Sequence, residues 1–167
     1  PFAERLVHFW ANHFSVSVGK PGTQFEAGPH EFTAIRPHVL GRFADMLKAA
    51  VLHPAMLLYL DQAQSIGPNS MLAQRIGARR NREIGLNENL AREILELHTL
   101  GVNGGYNQAD VQALAAIITG WTYERARLRD YVSDAQGERN GAQLFEFDAD
   151  AHEPGPKTLL GRTYAQD

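Results

Sequence analysis

The sequence predicts a mainly α protein, a multi-helix orthogonal bundle with a small C-terminal β-hairpin. Three observations carry this. Apolar residues recur at helical spacing over residues 2–14, 37–52 and 88–122; glycine and proline fall between those stretches; and strand-like alternation is confined to the last part, in Leu144-Phe145-Glu146-Phe147-Asp148. The pattern reads as one helical domain over 1–167, with a helical core over about 1–122, a variable loop over about 124–141 and a hairpin-like segment over about 143–165. Helical periodicity is already running at Phe2 without a cap, so the chain reads as a fragment of a longer precursor.

Phe2 to Phe14 is the opening helix. At ~100° per residue, Phe2, Leu6, Phe9 and His13 share the face expected in the core, with Glu4, Arg5, His8 and Asn12 behind. His13 therefore points inward and His8 away. Ser15 to Phe32, with Gly19, Pro21, Gly22, Gly28 and Pro29, reads as a long irregular loop. Its Lys20-Pro21-Gly22 lacks the Gly-Lys-Ser/Thr ending of a phosphate loop. Pro37 opens the next helix, with Val39, Phe43, Met46 and Ala50 toward the core, and His53-Pro54 ends it, because a residue before proline avoids α geometry. Pro54 opens a short helix, Ala55 to Leu60. Asp61 to Gly85 reads as a solvated loop, and its Arg75, Arg79, Arg80 and Arg82 lack the interleaved aromatics of a nucleic-acid surface.

The most specific stretch is LNENLAREILELHTLGVNGGYNQADVQALAAIITGWT, residues 86–122, two helices joined by a glycine turn. Asn87 is the expected N-cap of the first, with Leu90, Ile94 and Leu97 on its apolar stripe and Glu88, Arg92 and Glu96 as a solvated ion-pair ladder. Two polar residues interrupt the apolar arc, Glu93 and His98. A carboxylate turned toward a core must be paired, hydrogen-bonded, metal-bound or protonated. Glu93 is thus either an internal partner of an arginine or a functional group, and His98 either a C-terminal cap or a catalytic side chain. Gly101 suits a left-handed helix end, and Asn107 with Asp110 resembles a capping box for the second helix. Val111, Leu114, Ala115, Ile118 and Trp121 make that helix's packing face.

Beyond Trp121 the sequence turns charged and uneven, then alternates over Leu144 to Asp148, with Thr158 to Tyr164 as the expected hairpin partner. Between these lie Asp148, Asp150, His152 and Glu153. Their alternation suggests a cation loop, but the glycine and glutamate spacing of an EF-hand is absent, so a polar surface turn is the simpler reading.

With 44% hydrophobic and 21% charged residues, the composition is that of an ordinary globular domain, and a net charge of −3 gives no electrostatic case for nucleic acid. Zero cysteines exclude disulfides, thiolate metal sites and a cysteine nucleophile. No apolar run approaches the ~20 residues of a membrane span, and the chain holds no signal segment. There is no Gly-x-Ser-x-Gly elbow, dinucleotide fingerprint or His-Glu-x-x-His.

The 86–122 stretch, the upstream RPHVLGRFADMLKAAVLHPAMLLYLD and the terminal HEPGPKTLLGR occur in this order. Together they resemble a bacterial domain-of-unknown-function family, number 1800. Asn107 stands where Thr is commoner in that family, and Glu153 where Asp is expected. The resemblance implies a mostly helical fold, an exported protein (periplasmic or secreted) and a sulfatase-like protein partner, and it implies no activity.

Two functions follow from the residues. In the first, His13, Glu93 and His152 bind a divalent metal, or Glu93 and His98 serve as an acid–base pair, in a hydrolase site between helices. In the second, the chain is a non-catalytic helical binding or scaffold module for a protein partner or a glycan. The cofactor is open, a divalent metal being the one candidate.

Overall fold

The computed structural model describes residues 1–80, 85–124 and 144–165. It is mainly helical, and the chain forms two compact units, one from Pro1–Leu60 with Thr122–Glu146, the other from Asp61–Trp121 with Phe147–Asp167. Most of the expected variable loop, residues 125–141, lies outside the described residues, as does Arg82 of the basic cluster.

In the first unit, α1 spans Phe2–His13. Its buried side is not the expected one: Val7 and Phe14 are buried, whereas Phe2 and Phe9 are 70% and 60% exposed. Val7 and Phe14 lie seven apart, two turns on one stripe. Phe14 is held by Trp10, His13 and Phe43, with ring centroids 6.1, 4.7 and 6.1 Å away. The favourable aromatic geometry therefore gathers at the end of α1.

Helix α2, Ala27–His30, begins inside the segment expected as loop. It runs on as a π turn over Glu31–Ile35 and a 3-10 turn over Arg36–His38. Gly28 and Pro29 suggested a break, yet Pro29 occupies the first turn, where an amide has no helical acceptor to lose. Arg36 joins this run to α1, donating to Glu4 at 2.6 Å and to Glu31 at 3.0 Å. Helix α3, Phe43–Leu52, starts six residues later than Pro37 suggested; Met46 and Ala50 are buried on it as expected, whereas Phe43 is exposed and Val39 precedes the helix. His53 then turns extended, and its Nδ1 accepts the Ala55 amide at 3.1 Å to cap α4, Pro54–Tyr59.

In the second unit, α5 (Met71–Arg80) replaces an expected loop. Ser70 caps it, its Oγ accepting the Ala73 amide at 3.1 Å. Helix α6, Asn89–Arg92, continues as a π turn through Glu93–Thr99. The N-cap position falls on Glu88 rather than on the expected Asn87, whose side chain lies one residue ahead and accepts the Asn89 amide at 2.9 Å. The ladder also forms, with Arg92 at 2.7 Å from Glu88 and 3.2 Å from Glu96. The apolar stripe differs. Leu90, Ala91, Leu95 and His98 are buried, while Leu97 and Leu100 are 57% and 43% exposed, since a π turn winds wider than the ~3.6-residue period on which the stripe is drawn. Gly101, at φ 85°, ends the helix in the left-handed conformation foreseen for it.

Helix α7 spans Gln108–Ile117 and opens with the full capping box of Asn107 and Asp110. Val111, Leu114, Ala115 and Ile118 are buried on it as expected. The strands pair differently from expectation. β1 (Trp121–Tyr123) pairs with β2 (Phe145–Phe147), and β3 (Lys157–Leu159) pairs antiparallel with β4 (Arg162–Tyr164), Thr158 opposite Thr163. Segment 158–164 closes on itself because Leu160 and Gly161, at φ 50° and 75°, make a two-residue hairpin turn. The Leu160 amide donates to Asp110 Oδ1 at 2.7 Å, so the carboxylate that completes the capping box also pins this turn. No helix among the described residues is long and apolar enough to cross a membrane.

That double use sets an order of stability costs. Asn107→Ala is expected to lose ~1 kcal/mol, the usual cost of an N-cap. Asp110→Ala should lose more, since it frees the Asn107 and Leu160 amides together. Urea unfolding of both variants measures the difference.

Candidate functional site

The loop between β2 and β3 is fixed at both ends before it presents any chemistry. Asp148 donates its amide to Gly120 O at 2.8 Å. Gly120 has φ 84°, and a Cβ there would run into Asp148 O, so only glycine fits. Two residues on, the Asp150 carboxylate meets Arg75 at 2.7 Å and its carbonyl accepts the Leu72 amide at 2.8 Å. The Gly67 amide donates to Ala151 O at 2.9 Å. Glu153 takes the Asn69 amide at 2.9 Å and the Asn69 side-chain amide at 2.6 Å. A Cβ on Gly67 would lie 2.5 Å from Glu153 Cα, so this approach also requires glycine. The carboxylate at 153, where the family resemblance suggested aspartate, is thus a clamp on the turn leading into α5.

His152 sits in the middle of this clamped loop. Its Nδ1 is 2.9 Å from Thr119 O and 3.3 Å from Thr119 Oγ1. A carbonyl only accepts, so Nδ1 carries the proton and Nε2 of the neutral ring keeps its lone pair. Thr119 is fully buried, donates its hydroxyl to Ala116 O at 2.7 Å and accepts the Glu153 amide at 2.8 Å. One threonine therefore holds both the ring and the backbone beside it.

Lys157 faces the free edge of that ring. Its Nζ is 3.3 Å from His152 Nε2 and donates to Glu153 O. Partial burial pushes the Lys157 ammonium below its ordinary pKa, with the Glu153 carboxylate acting the other way. The two side chains line a cavity of about 200 Å³, together with Tyr164. Ile117, Phe147, Ala149 and Ala165 form its apolar wall, and the Phe147 ring lies 5.3 Å from His152. The Arg162 guanidinium stacks over Tyr164 at 5.2 Å. A small cavity with one cation, one oriented imidazole and an apolar wall suits a small ligand that is part apolar and part anionic.

Of the residues singled out in the sequence, His152 is at this cavity. Glu93 is half-buried and enters no ion pair among the described residues; partial burial, then the neighbouring Glu96, raises its carboxyl above the usual range. His98 is buried five residues further along the same helix. His13 belongs to the first unit, where it packs edge-on against Trp10 and Phe14. Among the described residues, no three His, Asp or Glu side chains are grouped to hold a metal ion. Thr119, Lys157 and Tyr164 escaped the sequence reading, because nothing local marks them. The fold alone brings 119 to 152 and 152 to 157.

A second polar group lies in the first unit. Glu26, His30 and His53 are buried at 1%, 3% and 0% exposure. Neither Glu26 oxygen, nor Nε2 of either histidine, has a hydrogen-bond partner among the described residues. The His30 and His53 rings meet edge to face at 5.1 Å. Burial lowers His30 to about 4, against a hydrogen bond to Ala50 O, and lowers His53 well below its ordinary value, helped by His30. Burial raises Glu26 to about 7. Glu26 stands at the start of α2, where a negative charge gains ~0.3–1 kcal/mol from the helix dipole. An unpaired buried carboxylate costs several times that, so burial wins. The available signal was Glu-x-x-x-His, which puts 26 and 30 on one helical face.

The chain belongs to the family described as protein of unknown function (DUF1800), whose family model matches residues 1–167. No curated protein and no solved structure matches it.

The lowered Lys157 has a chemical consequence. Of the three lysines, Lys20, Lys48 and Lys157, Lys157 is expected to acylate first under limiting reagent near pH 8. A lowered pKa leaves more free amine there. Peptide mapping by mass spectrometry identifies the site.

Proposed function

We propose that the second unit carries an acid–base hydrolytic site at the His152–Lys157 cavity. One observation supports it above the others: His152 is tied through Nδ1 to Thr119 O, with Nε2 turned to Lys157 at the cavity wall. In this reading Nε2 takes the proton of a water attacking an acyl carbon. The Lys157 ammonium carries the charge that develops on the acyl oxygen, and the imidazolium then protonates the leaving group. The apolar wall accepts the rest of a small ester. Acid–base work suits His152 better than metal ligation, since its lone pair faces an ammonium rather than other ligands. An exported location comes to this proposal from the family resemblance alone.

A second reading, a binding module, draws on one observation. Leu97, Leu100 and Val102 are 57%, 43% and 70% exposed around the end of the α6 run, a place for a partner to cover.

Turnover of small nitrophenyl esters separates the two. In the acid–base reading, His152→Asn and Lys157→Met each lower kcat/KM by ~10²–10⁴-fold, the usual worth of a positioned proton-transfer group. Wild-type hydrolysis no faster than free imidazole, or an unchanged rate in His152→Asn, removes the enzyme reading. Glu93→Gln and His98→Ala in the same assay ask whether the α6 run contributes.

A further inference from the structure

We propose that Glu26 is a buried proton-binding site of the first unit: folding delivers it as a neutral carboxylic acid, so the unit takes up a proton as it folds and is weakened by alkali. The proposal is independent of the His152 cavity.

The geometry carries it. Glu26 is 1% exposed, and neither oxygen accepts a hydrogen bond from any described residue. An ionised carboxylate in that position would need a cation or several donors, whereas the neutral acid needs far less. The charged groups on the surrounding elements are paired elsewhere or exposed. Arg36 is shared between Glu31, on the π turn that continues α2, and Glu4 of α1. The Lys20 ammonium donates to Tyr59 O, at the end of α4. On α3, Asp45 and Lys48 are exposed. The turn Thr23–Phe25, packed before α2, holds no titratable side chain.

The two histidines cannot supply the missing charge. His53 uses Nδ1 to accept the Ala55 amide, so its proton sits on Nε2 and the ring is neutral. His30 donates its other nitrogen to Ala50 O and leaves Nε2 as a lone pair. Protonating either ring would place a cation beside its buried neighbour 5.1 Å away. The same arrangement argues against a metal here. His53 would have to give up the Ala55 amide to offer Nε2, which leaves too few ligands.

The signs of the linkage follow from the two directions. Glu26 is raised from 4.5 to about 7 in the fold, so the stability it contributes is full below 4.5 and is lost as pH rises through about 7. His30 is lowered from 6.5 to about 4, so its contribution is full above 6.5 and is lost as pH falls through about 4; His53 has the same sign. Between 4.5 and 6.5 the opposing groups partly cancel. From 6.5 to about 7 Glu26 alone of these three still acts, and its contribution declines there.

The test is urea unfolding of the whole chain and of Glu26→Gln from pH 5 to 8, beside a carbon-13 NMR titration of the glutamate carboxyls in the wild-type chain. The amide that Glu26→Gln introduces has no acidic proton to lose. The ratio of the variant's folding constant to the wild type's should therefore rise about tenfold per pH unit up to about 7 and then level off, one proton being linked to folding. One carboxyl resonance should titrate near neutrality. A ratio that stays flat with pH overturns the proposal. Should Glu26→Gln fail to fold, the NMR titration decides alone, and glutamates that all titrate in the ordinary carboxylate range overturn it.

Discussion

The bond from His152 Nδ1 to the Thr119 carbonyl is the constraint on which the second unit's chemistry rests. It fixes the tautomer, and the tautomer decides which edge of the ring is basic. The bond exists because α7 ends just before a buried threonine whose carbonyl is no longer taken by the helix. Gly120 then turns the chain so that Asp148 can approach, and the loop bearing His152 is delivered across it. A backbone carbonyl just past the helix end thus becomes the mounting for a side chain.

The same loop shows how short-range and long-range forces share the work. Arg75 with Asp150 is an exposed pair, worth little by itself. The backbone bonds from Gly67 and Leu72 are sequence-independent but need close approach, which Gly67 allows. Glu153 adds the directional part by chelating both amides of Asn69. Removing side-chain charge at 150 would leave the loop nearly in place, whereas bulk at 67 would displace it.

Much of the helical order was legible from residues alone. The capping box at Asn107 and Asp110, the ladder around Arg92, the stop at Gly101 and the buried face of α7 depend only on neighbours within a turn or two. Failures came where tertiary context outvoted local pattern. Phe2 and Phe9 have the spacing of a core face but stand exposed, and the α2 run survives Gly28 and Pro29 because they fall in its first turn. The alternation at 144–148 does form a strand, but its partner is residues 121–123, far away in sequence. Of the cavity, only His152 stood out. Lys157 and Thr119 lie 5 and 33 residues from it, and no periodicity connects them.

The π run from Glu93 to Thr99 holds its helix in a register that α geometry would not give. An α-helix advances about 3.6 residues per turn, so a π segment accommodates an extra residue within the same length of axis. Such a segment is a natural slot for insertion and deletion. Loss of one residue between 93 and 97 would restore α winding without shortening the helix by a turn. It would also rotate everything beyond, carrying His98 off its buried side and bringing a neighbouring side chain inward. At this point in the chain, a length change in sequence is read by the structure as a change of angle.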